Sequence, residues 1–417
     1  MWRLVILAVA LFGTGAPATY GAAPHVRIAG NQFVDASGAP VRLIGTTAGV
    51  GGADACVEPT YGEPSRQQSH NVFWTPTDDR QLALMRSWHM NTVRLTPNEG
   101  CWLGLVGLGY RDDRVVVLKG EKGRRAAATM RTRYRRAFIS LVRRAHAMGF
   151  ITIVDLHYSA PGSTLPFAQW PMADRSHSLD FWRSVAKTFK NDHAMVFEVF
   201  NEPFDQRGKL TWKCLRDGCT LPNGCADCDA PVTGCPLARC PTAKHPNGTF
   251  RVAGTQSLVD AIRSTGAKQP LLAPGLSYTN DLSRWLAFRP RDPLGQLGAT
   301  FHMYGDSRYE DNGCDDVACW DATVAKVAAQ EPVATTELGQ FDCRHDVMDA
   351  YQDWADAHGV SYFGYGWYVA DFPPCGNSAD DPLGAPAMLA AFDGSTTPEG
   401  EGFKAHLEAL HAAGELP

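Results

Sequence analysis

The stretch Val196-Phe197-Glu198-Val199-Phe200-Asn201-Glu202-Pro203-Phe204 decides how the rest of the chain is interpreted. Its first five residues are mostly β-branched or aromatic, a composition typical of a strand that is buried on both faces. Pro203 has no backbone N–H to donate, so the strand ends there. The amide of Asn201 and the carboxylate of Glu202 are costly to bury without partners. They indicate either an ordinary solvated junction between strand and loop or a functional edge of an α/β fold.

Strand-like and helix-like segments alternate along the remainder of the chain. Such alternation predicts a parallel sheet, and eight units predict an α/β fold closed into a (β/α)8 TIM barrel. We therefore expect residues 24–417 to form a single barrel domain with long βα loops. The expected strands are 41–45, 91–96, 150–157, 196–200, 270–274, 299–304, 332–338 and 361–367. The expected helices include one capped by Thr75, a basic one ending at Gly149, and 179–190, 256–265, 281–288, 322–329, 346–358 and 402–413. Before them, two extended runs, 25–34 and 40–47, flank a turn at 35–38.

The first 23 residues have the pattern of a secretory signal peptide. Arg3 supplies a basic start, residues 4–12 an apolar centre, and 16–18 or 21–23 a cleavage site with small side chains. The apolar run is too short to span a bilayer, which needs about 18 apolar residues, and no later segment reaches that length. The sequence therefore predicts a secreted protein without a membrane span.

The overall charge argues against two classes of partner. The formal net charge is −5 and the pI about 6.2, which disfavours nucleic acid and anionic membrane surfaces as ligands. The locally basic run 119–144 has apolar residues at helical spacing and arginines on the other faces, so it predicts an amphipathic helix with a solvated basic side. Nothing in the sequence determines the oligomeric state, and a monomer is the default expectation.

Twelve cysteines follow the signal-like segment, and in an exported protein they are expected to form disulfides. Six lie in an insertion at about 205–250, where the spacing of Cys225 and Cys228 also fits a zinc knuckle. No pairing within the insertion follows from the sequence. Outside it the expected pairs are Cys56 with Cys101, Cys314 with Cys319, and Cys343 with Cys375.

Polar residues gather at the carboxyl ends of the predicted strands, where barrel active sites are built. Each has an ordinary alternative, such as a surface ion pair, a core histidine or barrel packing. Their common position on successive strands favours one site. In chain order they are Arg94, His157, Asn201, Glu202, His302, Tyr304, Glu337 and Trp367.

Glu202 and Glu337, on predicted strands four and seven, suit hydrolysis of a glycosidic bond. One carboxyl would protonate the leaving oxygen while the other attacks the anomeric carbon. Arg94 and Tyr304 are placed to hydrogen-bond the nucleophile, and His302 to tune the acid. Asn201 would hold the sugar 2-hydroxyl, and Trp367 would form an apolar floor for the ring.

The motifs at the strand ends span nearly the whole mature chain: Asn91-Thr-Val-Arg94, Val154-Asp-Leu-His157, Phe200-Asn-Glu-Pro203, His302-Met-Tyr304, Thr336-Glu-Leu-Gly339 and Gly366-Trp367. Together they resemble glycoside hydrolase family 5, the cellulase-type retaining hydrolases. The resemblance implies Glu202 as acid/base, Glu337 as nucleophile and the other six residues as their supports. It implies a β-linked glycan substrate, no metal and no cofactor. The segments 98–102, 158–162 and 275–281 resemble an actinobacterial branch of the family.

Because the predicted βα loops are long, the sequence does not decide between several substrates. An open groove suits an endo-β-1,4-glucanase, the default for a cellulase-like chain. Loop walls favour an exo-acting β-glycosidase, such as a β-galactofuranosidase or another cell-envelope glycan hydrolase. A carbohydrate-binding barrel without activity is a third alternative, which the presence of both glutamates disfavours. Four loop tryptophans are either sugar platforms or loop anchors: Trp102, Trp170, Trp212 and Trp320. The sequon at Asn247 has meaning only if a eukaryotic host exports the chain.

Overall fold

The computed structural model describes residues 23–48, 56, 78–111, 114–161, 169–205, 208–222, 249–305, 313–342, 344–369 and 386–416. Several predictions lie outside these ranges. They concern residues 1–22 of the signal-like segment, the helix cap at Thr75, the zinc knuckle at Cys225 and Cys228, and the pairing of Cys343 with Cys375. The sequon at Asn247 also falls outside them.

Eight parallel strands close into a barrel, in the order β3, β4, β7, β8, β11, β12, β13, β14 and back to β3. The predicted (β/α)8 fold is thus confirmed. In chain order the strands are β1 (Arg27–Ala29), β2 (Gln32–Val34), β3 (Ile44–Ala48), β4 (Thr92–Leu95), β5 (Gly107–Arg111), β6 (Arg114–Leu118), β7 (Ile151–Asp155), β8 (Met195–Glu198), β9 (Thr220–Pro222), β10 (Thr249–Arg251), β11 (Leu271–Ala273), β12 (Leu297–Gly305), β13 (Val333–Gln340) and β14 (Ser361–Gly364).

Helices surround the barrel, and none of those that the structure describes is long and apolar enough to cross a membrane. The first begins with Asp78 as its N-cap, whose carboxylate accepts a hydrogen bond from Gln81 N. The helices are α1 (Asp79–Ser87), α2 (Glu99–Leu103), α3 (Gly120–Ala147), α4 (Ser178–Phe189), α5 (Trp212–Asp217), α6 (Thr255–Arg263), α7 (Trp285–Phe288), α8 (Val317–Ala322), α9 (Val324–Ala328), α10 (Asp346–His358) and α11 (Pro398–Ala412).

Several elements have other bounds than the sequence predicts, and two segments differ in kind. Residues 25–34, expected as one extended run, fold back on themselves at Gly30, whose φ of 61° turns β1 onto β2. The loop expected after β4 contains the short helix α2 and the antiparallel hairpin β5–β6. Helix α2 forms because Asn98 caps its first turn by accepting from Cys101 N. Hydrophobic periodicity does not reveal these elements, because a helix cap at Asn98 and a turn at Gly30 determine them.

The barrel interior is layered because alternate residues of each strand point inward. At its amino-terminal end lies an apolar floor made partly by the β1–β2 hairpin. Two residues further along β7 and β8, the inward positions change from Ile153 and Val196 to Asp155 and Glu198, which begin a polar layer. The apolar floor consists of Val26, Ile28, Phe33, Leu43, Ile151, Ile153, Val196, Leu272, Ala334 and Phe363.

The four loop tryptophans anchor their loops. All are buried, with exposed fractions of 0%, 2%, 8% and 1% for Trp102, Trp170, Trp212 and Trp320. The Trp102 indole donates to Ser184 Oγ and that of Trp320 to the carbonyl of Cys314. Their indole faces are therefore used in packing, and the alternative of sugar platforms is wrong for these four residues.

Three disulfides lie within the described ranges. Cys56–Cys101 and Cys314–Cys319 form as predicted, and Cys214 pairs with Cys219 at the start of the insertion. Cys56–Cys101 joins the connection after β3 to helix α2, whereas the other two bonds each close a short local loop.

We predict that the disulfides contribute unequally to stability. The loop-entropy relation gives about 4 kcal/mol for Cys56–Cys101, with a sequence separation of 45, and about 2 kcal/mol for Cys314–Cys319, with a separation of 5. The double variant Cys56→Ser/Cys101→Ser should therefore unfold at lower denaturant concentration than Cys314→Ser/Cys319→Ser. Equal midpoints for the two double variants would contradict this order.

Candidate active site

Arg94 occupies the centre of the polar layer and is fully buried. Its Nε donates to Glu198 at 2.7 Å and its Nη1 to Glu337 at 2.7 Å. Its Nη2 donates to Asp155 at 2.8 Å and to the Asn201 side-chain oxygen at 2.6 Å. Glu198 and Glu337 lie on strands that do not neighbour β4, so these bonds cross the barrel interior. One guanidinium thus ties together the ends of four strands.

Burial alone would disfavour the charge on Arg94, but Asp155, Glu198 and Glu337 outweigh it and raise its pKa well above the ordinary value. The carboxyls respond differently. Burial raises the pKa of Glu198 to about 7, although Arg94 acts in the opposite direction. Burial also opposes charge on His157, but Asp155, bonded to its Nδ1 at 2.9 Å, raises the His157 pKa. The polar layer therefore holds a permanent cation, carboxylates and a histidine with increased proton affinity.

Glu202 and Glu337 face one another at the mouth of the barrel. An oxygen of each lies within 4.8 Å of the other and of a His302 nitrogen. Arg94 and Tyr304 hold Glu337, the latter through a 2.6 Å bond from its hydroxyl. Burial, with the nearby Glu337 carboxylate, raises the pKa of Tyr304 well above its usual range, so the hydroxyl stays protonated and donates.

Glu202 is held on the other side by His302 and Gln169. His302 Nδ1 lies 2.7 Å from Glu202 Oε1, and Gln169 donates to Oε2 at 2.6 Å. Burial lowers the pKa of His302 to about 3, so its imidazole is neutral, and burial raises the pKa of Glu202. Glu202 is therefore easier to protonate than a carboxyl in water, and its side chain is the more exposed of the pair, 14% against 4% for Glu337.

Glu202, His302 and Glu337 also have the spacing of a cation site. The hydrogen bonds described above account for the same atoms, because His302 Nδ1 contacts Glu202 and both Glu337 oxygens accept from donors. We therefore interpret the cluster as an acid–base pair with its supports. The chemistry that it suits is proton transfer beside a nucleophilic carboxylate.

A turn of left-handed backbone at residues 277–279, after β11, contacts the segment that carries Glu202. All three of its residues have positive φ, between 53° and 64°, which is costly for residues other than glycine; they are Ser277, Tyr278 and Thr279. The turn is held by contacts with the neighbouring strand ends: Thr279 Oγ donates to the Asn201 carbonyl and Tyr278 N to that of Pro203. These two hydrogen bonds fix the backbone on both sides of Glu202.

Trp367 does not join the site, which corrects the sequence prediction. Its side chain is fully buried, its indole donates to Gln81 in helix α1, and its ring packs edge-on against Trp88. β14 ends at Gly364, so the alternation expected to continue to Trp367 is lost. Tyr365 lies at the site instead, with its ring centroid 5.9 Å from that of Tyr304.

The other seven predicted residues come together, joined by residues that sequence reasoning missed. Asp155, Glu198, Gln169 and Thr336 each hydrogen-bond a predicted site residue. The signal for Asp155 and Glu198 is a lone carboxylate in each mostly apolar predicted strand, and the structure places them as the last residues of β7 and β8. Gln169 lies in a stretch of sequence that carries no motif of the kind found at the strand ends.

Known proteins resemble this chain in sequence family and in fold. A family model described as Cellulase (glycosyl hydrolase family 5) matches residues 57–371. The native beta-glucanase SdGluc5_26A of Saccharophagus degradans aligns with a TM-score of 0.57 at 17% identity, over 96% of this chain and 99% of that one. The catalytic domain of Thermobifida fusca endoglucanase Cel5A gives 0.50 at 16%, over 92% and 97%. XacCel5A in complex with cellopentaose gives 0.52 at 18%, over 88% and 99%. At these identities the structural likeness shows a shared fold. No curated protein matches the sequence.

We predict that replacing Arg94 by methionine lowers the free energy of unfolding by about 3–5 kcal/mol at neutral pH, because buried carboxylates lose their counter-charge. The folded variant then binds protons more tightly than its unfolded state, so it should regain stability as the pH falls and lose it as the pH rises. Denaturant unfolding between about pH 5 and pH 8 measures both effects.

The control is Arg263→Met, which removes an arginine that contacts a single buried carboxylate, Asp292, away from the site. It should cost less than Arg94→Met at neutral pH. A similar decrease in the free energy of unfolding for both variants would show that Arg94 contributes no more to stability than an arginine with one carboxylate partner.

Proposed function

The chain belongs to the cellulase family, glycosyl hydrolase family 5, and we propose that it is a secreted enzyme that cleaves a β-linked glucan internally, as a cellulase-like endo-β-1,4-glucanase. The family is one of retaining glycoside hydrolases, which act by double displacement. We assign Glu337 as the nucleophile and Glu202 as the acid/base. The segment 1–23 would direct export.

The observation that carries the residue assignment is the short separation between Glu202 and Glu337. Retaining enzymes place their two carboxyl groups about 5–5.5 Å apart, whereas inverting enzymes leave about 6.5–9.5 Å for a water molecule. Oxygen atoms of the two residues within 4.8 Å fit the first arrangement. The roles follow from the surroundings, because burial favours a proton on Glu202 while two donors hold Glu337.

The proposed reaction has two steps that conserve protons. In the first, a Glu337 oxygen bonds to the anomeric carbon as the glycosidic bond breaks, and the Glu202 proton moves to the leaving oxygen. In the second, Glu202 takes a proton from water as that water attacks the anomeric carbon and releases Glu337. Neutral His302 contacts Glu202 throughout and carries no competing charge.

Asn201 and Tyr365 are positioned to bind the sugar. Asn201 Nδ2 is buried and has no hydrogen-bond partner among the residues that the structure describes, although its oxygen binds Arg94. An unpaired buried donor is costly, and a sugar hydroxyl would satisfy it. We assign it to the 2-hydroxyl, where such contacts tighten in the transition state. Tyr365 supplies the aromatic surface that we first expected from Trp367.

The choice of a cello-oligosaccharide substrate rests on the structural neighbours. One structure of SdGluc5_26A contains cellotetraose, and XacCel5A was determined with cellopentaose. Their identities of 17% and 18% leave the sugar and the cleavage mode of this chain to experiment. The test is a product profile over cellulose derivatives, mannan, xylan, laminarin and a galactofuranan. A ladder of cello-oligosaccharides supports the proposal. Monosaccharide as the only product would support the exo-acting alternative. Products from another glycan alone would show that the substrate is not a β-1,4-glucan.

We predict that Glu337→Gly abolishes hydrolysis, because no nucleophile remains, and that azide restores turnover of an activated aryl glycoside. Azide attacks from the vacated face, so the product should be a glycosyl azide of inverted configuration. Proton NMR of the product gives the anomeric configuration. A retained product, or no rescue by azide or formate, would count against Glu337 as the nucleophile.

We predict that Glu202→Ala affects substrates according to their leaving groups. A sugar leaving group needs protonation and should lose at least about a hundredfold in kcat/KM, within the usual contribution of a general acid. A dinitrophenyl glycoside needs none in the first step and should lose much less in kcat/KM. Equal losses on both substrates would remove the assignment of Glu202 as the acid.

A further inference from the structure

A continuous chain of hydrogen bonds leads from Glu202 into the polar layer. His302 Nδ1 contacts Glu202 at 2.7 Å, and His302 Nε2 contacts Thr336 Oγ at 3.0 Å. Thr336 Oγ lies 3.0 Å from Glu198 Oε1. Apart from Glu202 at the mouth, every member is buried. The chain therefore joins the acid/base to a second carboxyl that has no contact with the mouth of the barrel.

Glu198 is a carboxyl for which the proposed reaction gives no role. Charged and titratable groups face it from four strands: Arg94 at 2.7 Å, Asp155 and Glu337 through their shared contacts with Arg94, and His302, whose Nε2 is 4.0 Å away. Thr336 donates to Oε1 of Glu198, and the Thr300 hydroxyl, which contacts both this oxygen and Thr336 Oγ, can donate its one proton to either of them. A group so fully hydrogen-bonded can only act through its neighbours.

We propose that Glu198 is a positioning residue that controls, through Thr336 and His302, whether Glu202 meets a hydrogen-bond acceptor or a donor. The inference rests on the function proposed for Glu202. It follows from the polarity of the chain, because a threonine hydroxyl has one proton to donate and a neutral histidine carries its proton on one nitrogen only.

With Glu198 ionised, the polarity of the chain is fixed from its buried end. Thr336 donates to the Glu198 carboxylate and accepts from His302 Nε2–H. The Nδ1 atom of neutral His302 then has no proton and can only accept from Glu202. A bond that needs the protonated form of Glu202 raises its pKa, which keeps the acid ready for the first step.

With Glu198 protonated, the polarity reverses. Glu198 donates to Thr336, Thr336 donates to His302 Nε2, and the imidazole proton resides on Nδ1. That N–H stabilises an ionised Glu202 and lowers its pKa. The two carboxyls at the ends of the chain thus compete for a proton, as expected for coupled sites. The pKa of Glu198, raised to about 7 by burial, puts this competition near neutral pH.

The first test is the pH dependence of kcat/KM for a glycan substrate in Glu198→Gln and Thr336→Val. A glutamine cannot ionise, and a valine keeps the shape of threonine while breaking the chain. Both should move the basic limb to lower pH, by about one unit for Glu198→Gln, the usual size of such an influence on a pKa. The limb should be absent for a dinitrophenyl glycoside in all variants.

Thr335→Val is the matched control. It removes a buried hydroxyl from the neighbouring position on β13, one that contacts Tyr351 and not the chain. It should leave the basic limb at its wild-type position. A shift in Glu198→Gln without one in Thr336→Val would mean that charge alone acts, and the relay would be rejected. Unshifted limbs in both, or an equal shift in Thr335→Val, would also reject it.

A second measurement does not depend on activity. Nitrogen-15 NMR of labelled histidine distinguishes the two tautomers, and a His302→Gln sample assigns the signals. In wild-type protein above about pH 8, where Glu198 with its pKa of about 7 is ionised, the His302 proton should reside on Nε2, and below about pH 6 it should move to Nδ1. Thr336→Val should keep the proton on Nδ1 at both pH values, because His302 Nε2 has lost its acceptor. The same wild-type tautomer at both pH values would overturn the proposal. If the tautomer responds but no glycan is hydrolysed, the proposed substrate fails while the relay stands.

Discussion

The structure depends on one buried interaction, the guanidinium of Arg94 within its group of carboxylates. An unpaired charge in a barrel interior would be strongly destabilising, and a guanidinium is suited to burial because its planar fork can satisfy several acceptors at once. Asp155, Glu198 and Glu337 come from three different strands and all bind it. The interior can therefore be polar only where these strands are in correct register. At this layer, the contacts that stabilise the barrel are also those that position Glu337.

The apolar floor and the loops act on either side of this constraint. Below, the β1–β2 hairpin and the inward aliphatic side chains exclude water from the polar layer, so that its hydrogen bonds act in a low dielectric. Above, the left-handed turn at 277–279 fixes the backbone carbonyls of Asn201 and Pro203. A strained turn persists only where its surroundings determine it. Its position beside Glu202 shows where the fold tolerates strain to hold a functional side chain.

Sequence reasoning recovered the barrel and named seven residues that the fold brings together, because both follow from strand periodicity and strand ends. The sequence alone predicts that Glu337 and His302 lie at the same site, because the carboxyl ends of parallel barrel strands meet at one face. The prediction for Trp367 was wrong because β14 ends at Gly364, earlier than the aromatic residues of this stretch indicate. Beyond the end of a strand, the alternation of inward and outward side chains no longer predicts where a side chain points. Asp155 and Glu198 were missed for another reason. They are the last residues of β7 and β8, and a lone carboxylate in a mostly apolar stretch does not reveal its partners, which only the closed barrel brings to it.

Four carboxyl groups in this site have identical chemistry and different roles, so their contacts must distinguish them. Asp155 supports Arg94 and His157, Glu337 accepts from two donors at the mouth, and Glu202 meets a neutral imidazole. Glu198 touches none of the space in which a substrate would lie, yet it is one end of the chain that reaches Glu202. The four carboxyl groups differ in depth. A carboxyl at the mouth, such as Glu202, can reach a substrate directly, whereas the fully buried Glu198 can affect it only through other residues. The behaviour of each carboxyl in this barrel is therefore a property of the polar layer as a whole and not of the single residue.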